Sequence, residues 1–184
     1  MDKIYQAVEI ATEAHKTQKR KGTDIPYIVH PLTVGIFLAK AGCSDDVVVA
    51  GIMHDTVEDT DMTVEDVEKI FGKKIADIVA QCSEPPQEEK DWEERKLHTI
   101  QLLENAPIEV KQVIAADKLA NIKSISADLE RIGQDVWKKF KRGKEKQKWY
   151  YSSILKALSK DLSDPALKKL YSFLEEEFKN VFGE

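Results

Sequence analysis

The chain has 184 residues, 42% hydrophobic and 33% charged, with a formal net charge of −5. That length suits one domain, residues 1–184, with a sizeable core. The acidic balance argues against extended nucleic-acid binding, which needs a basic surface to release counterions, but not against a local basic pocket for a small anion. Mean hydropathy is −0.43 and no long apolar run occurs, so no transmembrane helix and no membrane partner are expected.

Helical periodicity dominates. "MDKIYQAVEIATEAHK" lacks the apolar block of a signal peptide and reads as an amphipathic helix, which makes the cytoplasm the expected location. Ile4, Ala7, Val8, Ala11, Ala14, His15 and Gln18 share its apolar stripe. His15 on that stripe reads as a core residue or as support for a ligand sooner than as a ligand itself. "RKGTDIPYIVHP" breaks the pattern with Gly22, Pro26 and Pro31. Pro31 suits the first turn of a helix that ends at Gly42, and Ser44 can cap another that runs to about His54.

Thr63 opens "TVEDVEKIFG", with acids in its first turn and Gly72 as its stop. A short helix reaches about Cys82. "SEPPQEEKD" reads as a loop, and "WEERKLHTIQLLENA" as a helix. Pro107 opens "PIEVKQVIAADKLANIKSI". "WKKFKRGKEKQKWYYSSILKALSKDL" follows as one helical stretch, and "SDPA" opens the last helix. Period-2 alternation is almost absent, so the chain is expected to be all-α with about eight or more helices. Cys43 and Cys82 lie outside any CxxC, which argues against a thiolate zinc site; both are expected to be buried and reduced.

The chemistry concentrates in "MHDTVEDT", which follows the apolar run "VVVAGIM". On a helix His54 falls seven residues after Val47, four after Ala50 and three after Gly51, on a face whose small residues leave room beside the imidazole. Asp55 is adjacent, and Glu58 and Asp59 follow at i+4 if the helix continues. Asp117 repeats the anomaly, seven residues after Val110 and three after Ile114. A buried carboxylate needs a cationic partner. Asn121 lies one turn on, and His30 stands at a loop-to-helix junction. A His–Asp pair on a helix is more often a plain hydrogen bond than a ligand pair, but two inward-facing anomalies coincide here. His30, His54, Asp55 and Asp117 together suit a first-row divalent ion such as Mn, Fe, Co or Zn. Glu58 and Asp59 then suit the handling of an attacking water and a leaving group.

The order His30, His54-Asp55, Asp117 resembles the HD-domain metal-dependent phosphohydrolases. "RKGTDIPYIVHP", "HDTVEDT", "FG", "ERK" and "ADKLANI" fall in the order seen in the hydrolase domain of RelA/SpoT-type proteins. They are most similar to the stand-alone small alarmone hydrolases of the metazoan SpoT homologue type. The resemblance covers about 11–151. It implies an all-α HD-type bundle that uses one Mn ion to remove the 3′-diphosphate of guanosine 3′,5′-bis(diphosphate). It implies metal ligation by His30, His54, Asp55 and Asp117, and water handling by Glu58 and Asp59. Arg20 and Lys21 would meet phosphate oxygens, and Asn121 would lie near ribose or phosphate.

"QKRK" supplies the positive charge that a pyrophosphate needs, although such a run is usually a solvated helix end. Lys146 and Tyr150, one helical turn apart, are carried over from the family's substrate pocket. "QCSEPPQEEKDW" departs from the stretch usual before "ERK", and the C-terminal third matches loosely. No P-loop pattern is present. The competing readings are hydrolysis of another nucleotide, such as a 2′-phosphorylated dinucleotide, and a module that binds alarmone without cleaving it. Oligomeric state has no signature in the sequence.

Overall fold

The structure, a computed structural model, describes residues 2–83 and 91–183. Among them are ten α-helices, two 3-10 segments and no strand. The helices are α1 (Lys3–Ala14), α2 (Val29–Ala41), α3 (Asp45–Met53), α4 (Thr56–Asp59), α5 (Val64–Phe71), α6 (Lys73–Cys82), α7 (Trp92–Asn105), α8 (Ile108–Ile132), α9 (Gly143–Leu158) and α10 (Pro165–Phe182). The all-α expectation holds. Most of the loop expected at "SEPPQEEKD", residues 84–90, lies outside the described residues.

Local chemistry sets most boundaries. Asp2 caps α1 through the Ile4 amide, Thr63 and Asp66 form a capping box on α5, and Asp91 and Glu94 do so on α7. Each satisfies amide groups that a helix start leaves open. Gly42, in the left-handed region at φ 92°, closes α2.

Two helical expectations need correction. The helix after Pro107 continues past Ile125 to Ile132, because no Gly or Pro interrupts it before Gly133 at φ 59°. The stretch from Trp137 onward is not one helix. A 3-10 segment ends at Lys139 and α9 starts at Gly143, whose φ of 69° breaks the chain direction.

Helix α8 is the axis. Every residue from Val110 to Asp117 is buried, because α2, α3, α6 and α10 pack around it. Lys111, inside this run, pairs with Asp161, and Gln112 donates to Asp164 at 2.9 Å. The polar groups of α8 are thus satisfied by the segment that leads into α10.

Helices α2 and α3 cross closely. A Cβ on Gly35 would lie 2.6 Å from Ile52 Cγ1, and one on Gly51 would lie 2.2 Å from Leu38 Cδ1. The small residue beside His54 therefore admits α2 and leaves no vacant room for a ligand. That close approach brings His30 and His54 together, with ring centroids 5.4 Å apart. No helix among the described residues is long and apolar enough to cross a membrane.

Candidate metal centre and phosphate cleft

Four side chains from three places in the chain converge. His30 comes from the first turn of α2, and Asp117 from the middle of α8. His54 and Asp55 occupy the turn between α3, which ends at Met53, and α4. The helix does not run unbroken through "HDTVED", yet the Asp59 amide still donates to the Asp55 carbonyl at 2.9 Å. The expected i+4 relation between those residues survives.

The ligand atoms of His30, His54 and Asp117 all lie within 4.8 Å of one another. His30 Nε2 is 3.2 Å from Asp117 Oδ1 and 3.5 Å from Asp55 Oδ2. His54 Nε2 is 3.0 Å from Asp55 Oδ1 and 3.8 Å from Asp117 Oδ1. The contact at 2.8 Å between His54 Nδ1 and the Gly51 carbonyl requires the proton on Nδ1, since a carbonyl only accepts. When the imidazole is neutral Nε2 then carries the lone pair; it is buried, faces Asp55 and Asp117, and makes no well-formed hydrogen bond. A lone pair facing two carboxylates in a buried site calls for a positive charge between them. This donor set fits a divalent cation, and imidazole with carboxylate suits a first-row ion.

The electrostatics point to the same need for positive charge: without an ion the carboxylates draw a second proton onto His54, the charge that a bound cation would supply. Burial would lower the pKa of His54, but the Asp55 and Asp117 carboxylates raise it to about 9. Burial would raise Asp55 and Asp117, yet both are held below the usual carboxylate range, Asp55 by His54 and His30 and Asp117 by Lys118 and the imidazoles.

A polar frame surrounds the four. The Tyr27 hydroxyl donates to Asp55 Oδ2 at 2.7 Å. Burial and the carboxylates of Asp55 and Asp59 push that phenol far above its ordinary pKa, so it stays a donor. Asn121 donates to Asp117 Oδ1 at 2.6 Å and accepts from Arg20 Nη2 at 3.0 Å. Lys118 donates to Asp117 Oδ2 at 2.6 Å. The backbone of 18–27 folds back on itself, with Tyr27 N–H to Gln18 O at 2.9 Å and Arg20 N–H to Ile25 O at 2.8 Å. Arg20 is thereby set 5.6 Å from the Tyr27 ring centroid.

Two cavities open from this frame. One, of about 320 Å³, is walled by the four ligand-type residues with Glu58, Asp59 and Arg95. The larger, of about 780 Å³, carries Arg20, Lys21, Lys96, Lys118, Lys123 and Arg131 over an apolar floor that includes Phe37 and Phe140. Arg20, His30, Lys118 and Asn121 line both.

Of the residues singled out from sequence, the first cavity gathers His30, His54, Asp55, Asp117, Glu58 and Asp59, and the cleft gathers Lys21 and Tyr150, with Arg20 and Asn121 at the junction. Lys146 is not gathered. It lines neither cavity, and its ammonium sits 3.4 Å from Glu93 and 5.6 Å from the Trp149 centroid. One helical turn from Tyr150 does not ensure a shared direction here, because Tyr150 is buried while Lys146 is exposed.

The cysteines also differ from expectation, since both are half-buried. Cys82 forms part of the metal-side wall. Burial and the nearby Asp117 hold its thiol protonated, and burial with Asp164 pushes Cys43 up to about 11.

Sequence reasoning missed Tyr27, Lys96 and Lys118. Tyr27 stands in "PYIVHP", where it is easily taken for core. Lys118 follows Asp117 directly, and helical phase places neighbouring residues on different faces. Its long side chain nevertheless returns to the carboxylate and brings its ammonium 5.6 Å from the Tyr150 centroid, while Lys96 reaches the same ring at 5.1 Å.

Comparison with known proteins adds to this geometry. The chain matches the family model described as HD domain over residues 7–145. It is 32% identical to the guanosine-3′,5′-bis(diphosphate) 3′-pyrophosphohydrolase of Aquifex aeolicus, covering 100% of this chain but only 26% of that protein. It is 37% identical to the guanosine-3′,5′-bis(diphosphate) 3′-pyrophosphohydrolase MESH1 of Danio rerio, covering 73% of each. For the human MESH1 the identity is 34%, over 91% of this chain and 92% of the relative. A crystal structure of lmo0812 from Listeria monocytogenes superposes with a TM-score of 0.78 and 39% identity, covering 84% of this chain and 99% of that one. The structure of a metazoan ortholog of SpoT, described as hydrolyzing ppGpp, gives a TM-score of 0.75 at 25% identity, covering 97% and 95%.

Proposed function

The chain belongs to the HD-domain family and is a phosphohydrolase, and from that premise we propose that it removes the 3′-diphosphate of guanosine 3′,5′-bis(diphosphate) as pyrophosphate, with Mn as its ion. The observation that carries this reading is the junction of two unlike cavities. A buried imidazole–carboxylate cluster with an unpartnered Nε2 opens onto a cation-lined cleft, and the two share Arg20, Lys118 and Asn121. A doubly phosphorylated nucleotide needs both. The relatives that share most of their length with this chain carry that activity in their names. The reading takes residues 1–184 as one HD-type unit acting on a small nucleotide in the cytoplasm.

His30, His54, Asp55 and Asp117 would hold the ion. When bound, it supplies Lewis-acid polarisation of a phosphoryl oxygen and lowers the pKa of water from ~15.7 towards ~7. The chain's own residues do the rest. Arg20, Lys21, Lys96 and Lys118 spread the charge of the diphosphate, a charge-assisted arrangement that favours the transition state as well as the bound substrate. Glu58 takes a proton from the attacking water, which adds to the phosphorus attached to the 3′ oxygen.

The bond from that phosphorus to the 3′ oxygen then breaks, and the ribose oxygen receives a proton from Asp59. Burial and the adjacent Asp55 carboxylate raise the pKa of Asp59, which suits an acid. The Tyr150 ring, with Lys96 and Lys118 against it, forms the wall beside the phosphates.

A substrate panel with purified protein, with and without Mn, tests the reading, with phosphorus NMR separating pyrophosphate from orthophosphate. Pyrophosphate as the first product from the 3′-diphosphate is the expected result. Orthophosphate first, or preference for a 2′-phosphorylated dinucleotide, moves the chain to a different phosphohydrolase activity. Tight binding of the guanosine nucleotide without release of either product would make it a binding module.

A further inference from the structure

We propose that Gln18 and His15, in the turn that follows α1, are positioning residues that clamp the backbone of Asp59 in α4; the inference rests on the reading of Asp59 as an acid in the proposed reaction. Helix α4 has four residues, Thr56–Asp59. One turn costs more in chain entropy than its hydrogen bonds return, so such a helix needs outside ties. Its closing carbonyls are those a helix leaves without internal partners. The Asp59 carbonyl accepts a hydrogen bond from Gln18 Nε2 at 2.5 Å, across 41 residues of sequence.

The hydrogen-bond chemistry fixes this contact in one direction. A backbone carbonyl only accepts, so the amide nitrogen of Gln18 must face Asp59 and its oxygen must face the other way. That oxygen lies 2.6 Å from His15 Nδ1. An amide oxygen also only accepts, so Nδ1 of His15 carries the proton. His15 is 1% exposed and packs against Tyr27 with ring centroids 4.9 Å apart and the planes tilted by 39°. Tyr27 in turn donates to Asp55 Oδ2 at 2.7 Å and contacts the Asp59 carboxylate.

A buried imidazole thus sets an amide, and the amide sets the carbonyl of the residue whose carboxylate faces the reaction cavity. Asp59 as a whole residue is exposed although its carboxylate turns toward Tyr27, so its backbone depends on this contact more than on apolar packing. This gives work to His15 and Gln18, two polar residues on the otherwise apolar stripe of the first helix.

The test uses the full, Mn-loaded chain. Gln18→Glu is nearly isosteric, still accepts from His15, and removes the donor to Asp59. Amide hydrogen exchange of the segment 54–61 reads the clamp without any substrate. Exchange at Asp59 and Thr60 should quicken about tenfold, the scale of one hydrogen bond, with metal content and unfolding temperature kept. Unchanged exchange, or loss of metal or fold, overturns the proposal.

Turnover is the second readout. Gln18→Glu should lower kcat by about 10- to 100-fold with little change in KM, the scale of a small misplacement. In an Asp59→Asn background the same substitution should have no further effect. Equal losses in both backgrounds, or a rise in KM alone, would overturn the assignment. His15→Asn, which retains an N–H near the place of Nδ1, should keep most of the activity that His15→Leu loses, and equal loss in both counts against the clamp. If the wild-type chain does not cleave the 3′-diphosphate, the functional reading fails, while the exchange measurement still decides the clamp.

Discussion

The two cavities that meet at Arg20, Lys118 and Asn121 are built on opposite principles. The metal-side cavity, about 320 Å³, is small and polar, and its residues are over-determined. Asp117 receives hydrogen bonds from Lys118 and Asn121 and lies 3.2 Å from His30 Nε2. The cleft, about 780 Å³, has scattered cations over an apolar floor, and several of them already have partners on its rim. Lys139 and Arg131 both reach Asp128, at 2.6 and 2.7 Å. The first is a place where the loss of one group leaves others buried and unpaired. The second is a place where each charge contributes a share and its neighbours compensate. Damage should therefore be steep on one side of the junction and shallow on the other.

The steepest loss is expected for His54→Ala. It removes the unpartnered Nε2, and with it the cation, whose transition-state stabilisation is several kcal/mol, or roughly 10³-fold in rate or more. Elemental analysis beside the turnover assay checks it; full metal occupancy in the variant would show that His54 is not a ligand. Next comes Glu58→Gln combined with Asp59→Asn. Metal and fold should remain while turnover falls roughly 10²-fold or more, the scale of general acid–base groups. Near-normal turnover would remove both from the chemistry.

Chelation sharpens the contrast through pH. In the metal-free chain the pKa of His54 is raised from 6.5 to about 9. A raised folded-state value means that the charged imidazole stabilises the fold fully below about 6.5, and that this contribution is lost as pH rises through about 9. Thermal unfolding of chelated protein should weaken between neutral pH and about 9.5, and that of the loaded protein should weaken less. Equal pH dependence would mean that the carboxylates do not face His54 in solution.

On the cleft side, Lys21→Ala should lower kcat/KM by about 1–3 kcal/mol, the scale of a charge-assisted hydrogen bond. It should leave metal content alone, and a change in metal content would merge the two regions. The smallest effect is expected at Lys146. Its partner is the half-buried carboxylate of Glu93, which Arg142 also reaches at 3.3 Å, so Lys146→Ala leaves that carboxylate a second cation and should change kcat/KM and stability by less than about 1 kcal/mol. A tenfold loss of kcat/KM would return Lys146 to the substrate site.

The contrast between the cavities also explains how far the sequence could be read. Two of the metal-side residues stood out because they violate a local rule. His54 follows an apolar run, and Asp117 sits on the buried face of a helix, so periodicity alone exposes them. The cleft residues violate nothing. Lys96, Lys118 and Lys123 look like any lysine on a helix, and only the packing of α7 against α9 and of α8 against α9 turns some of them toward Tyr150. The same limit explains Lys146, where helical phase gave a neighbour and the fold gave Glu93 instead.

Local chemistry by itself determined the all-α class, the capping of α5, and the inward pointing of His54 and Asp117, because each depends on residues within a turn or two of chain. Tertiary structure alone decided that Gly35 and Gly51 let α2 and α3 approach so closely, and that Lys118 reaches back to its neighbour's carboxylate. It also decided that the Gln18 amide, just beyond α1, reaches the carbonyl of Asp59 across 41 residues. Those contacts join groups far apart in the chain or depend on the free rotation of a long side chain, and no local period encodes either.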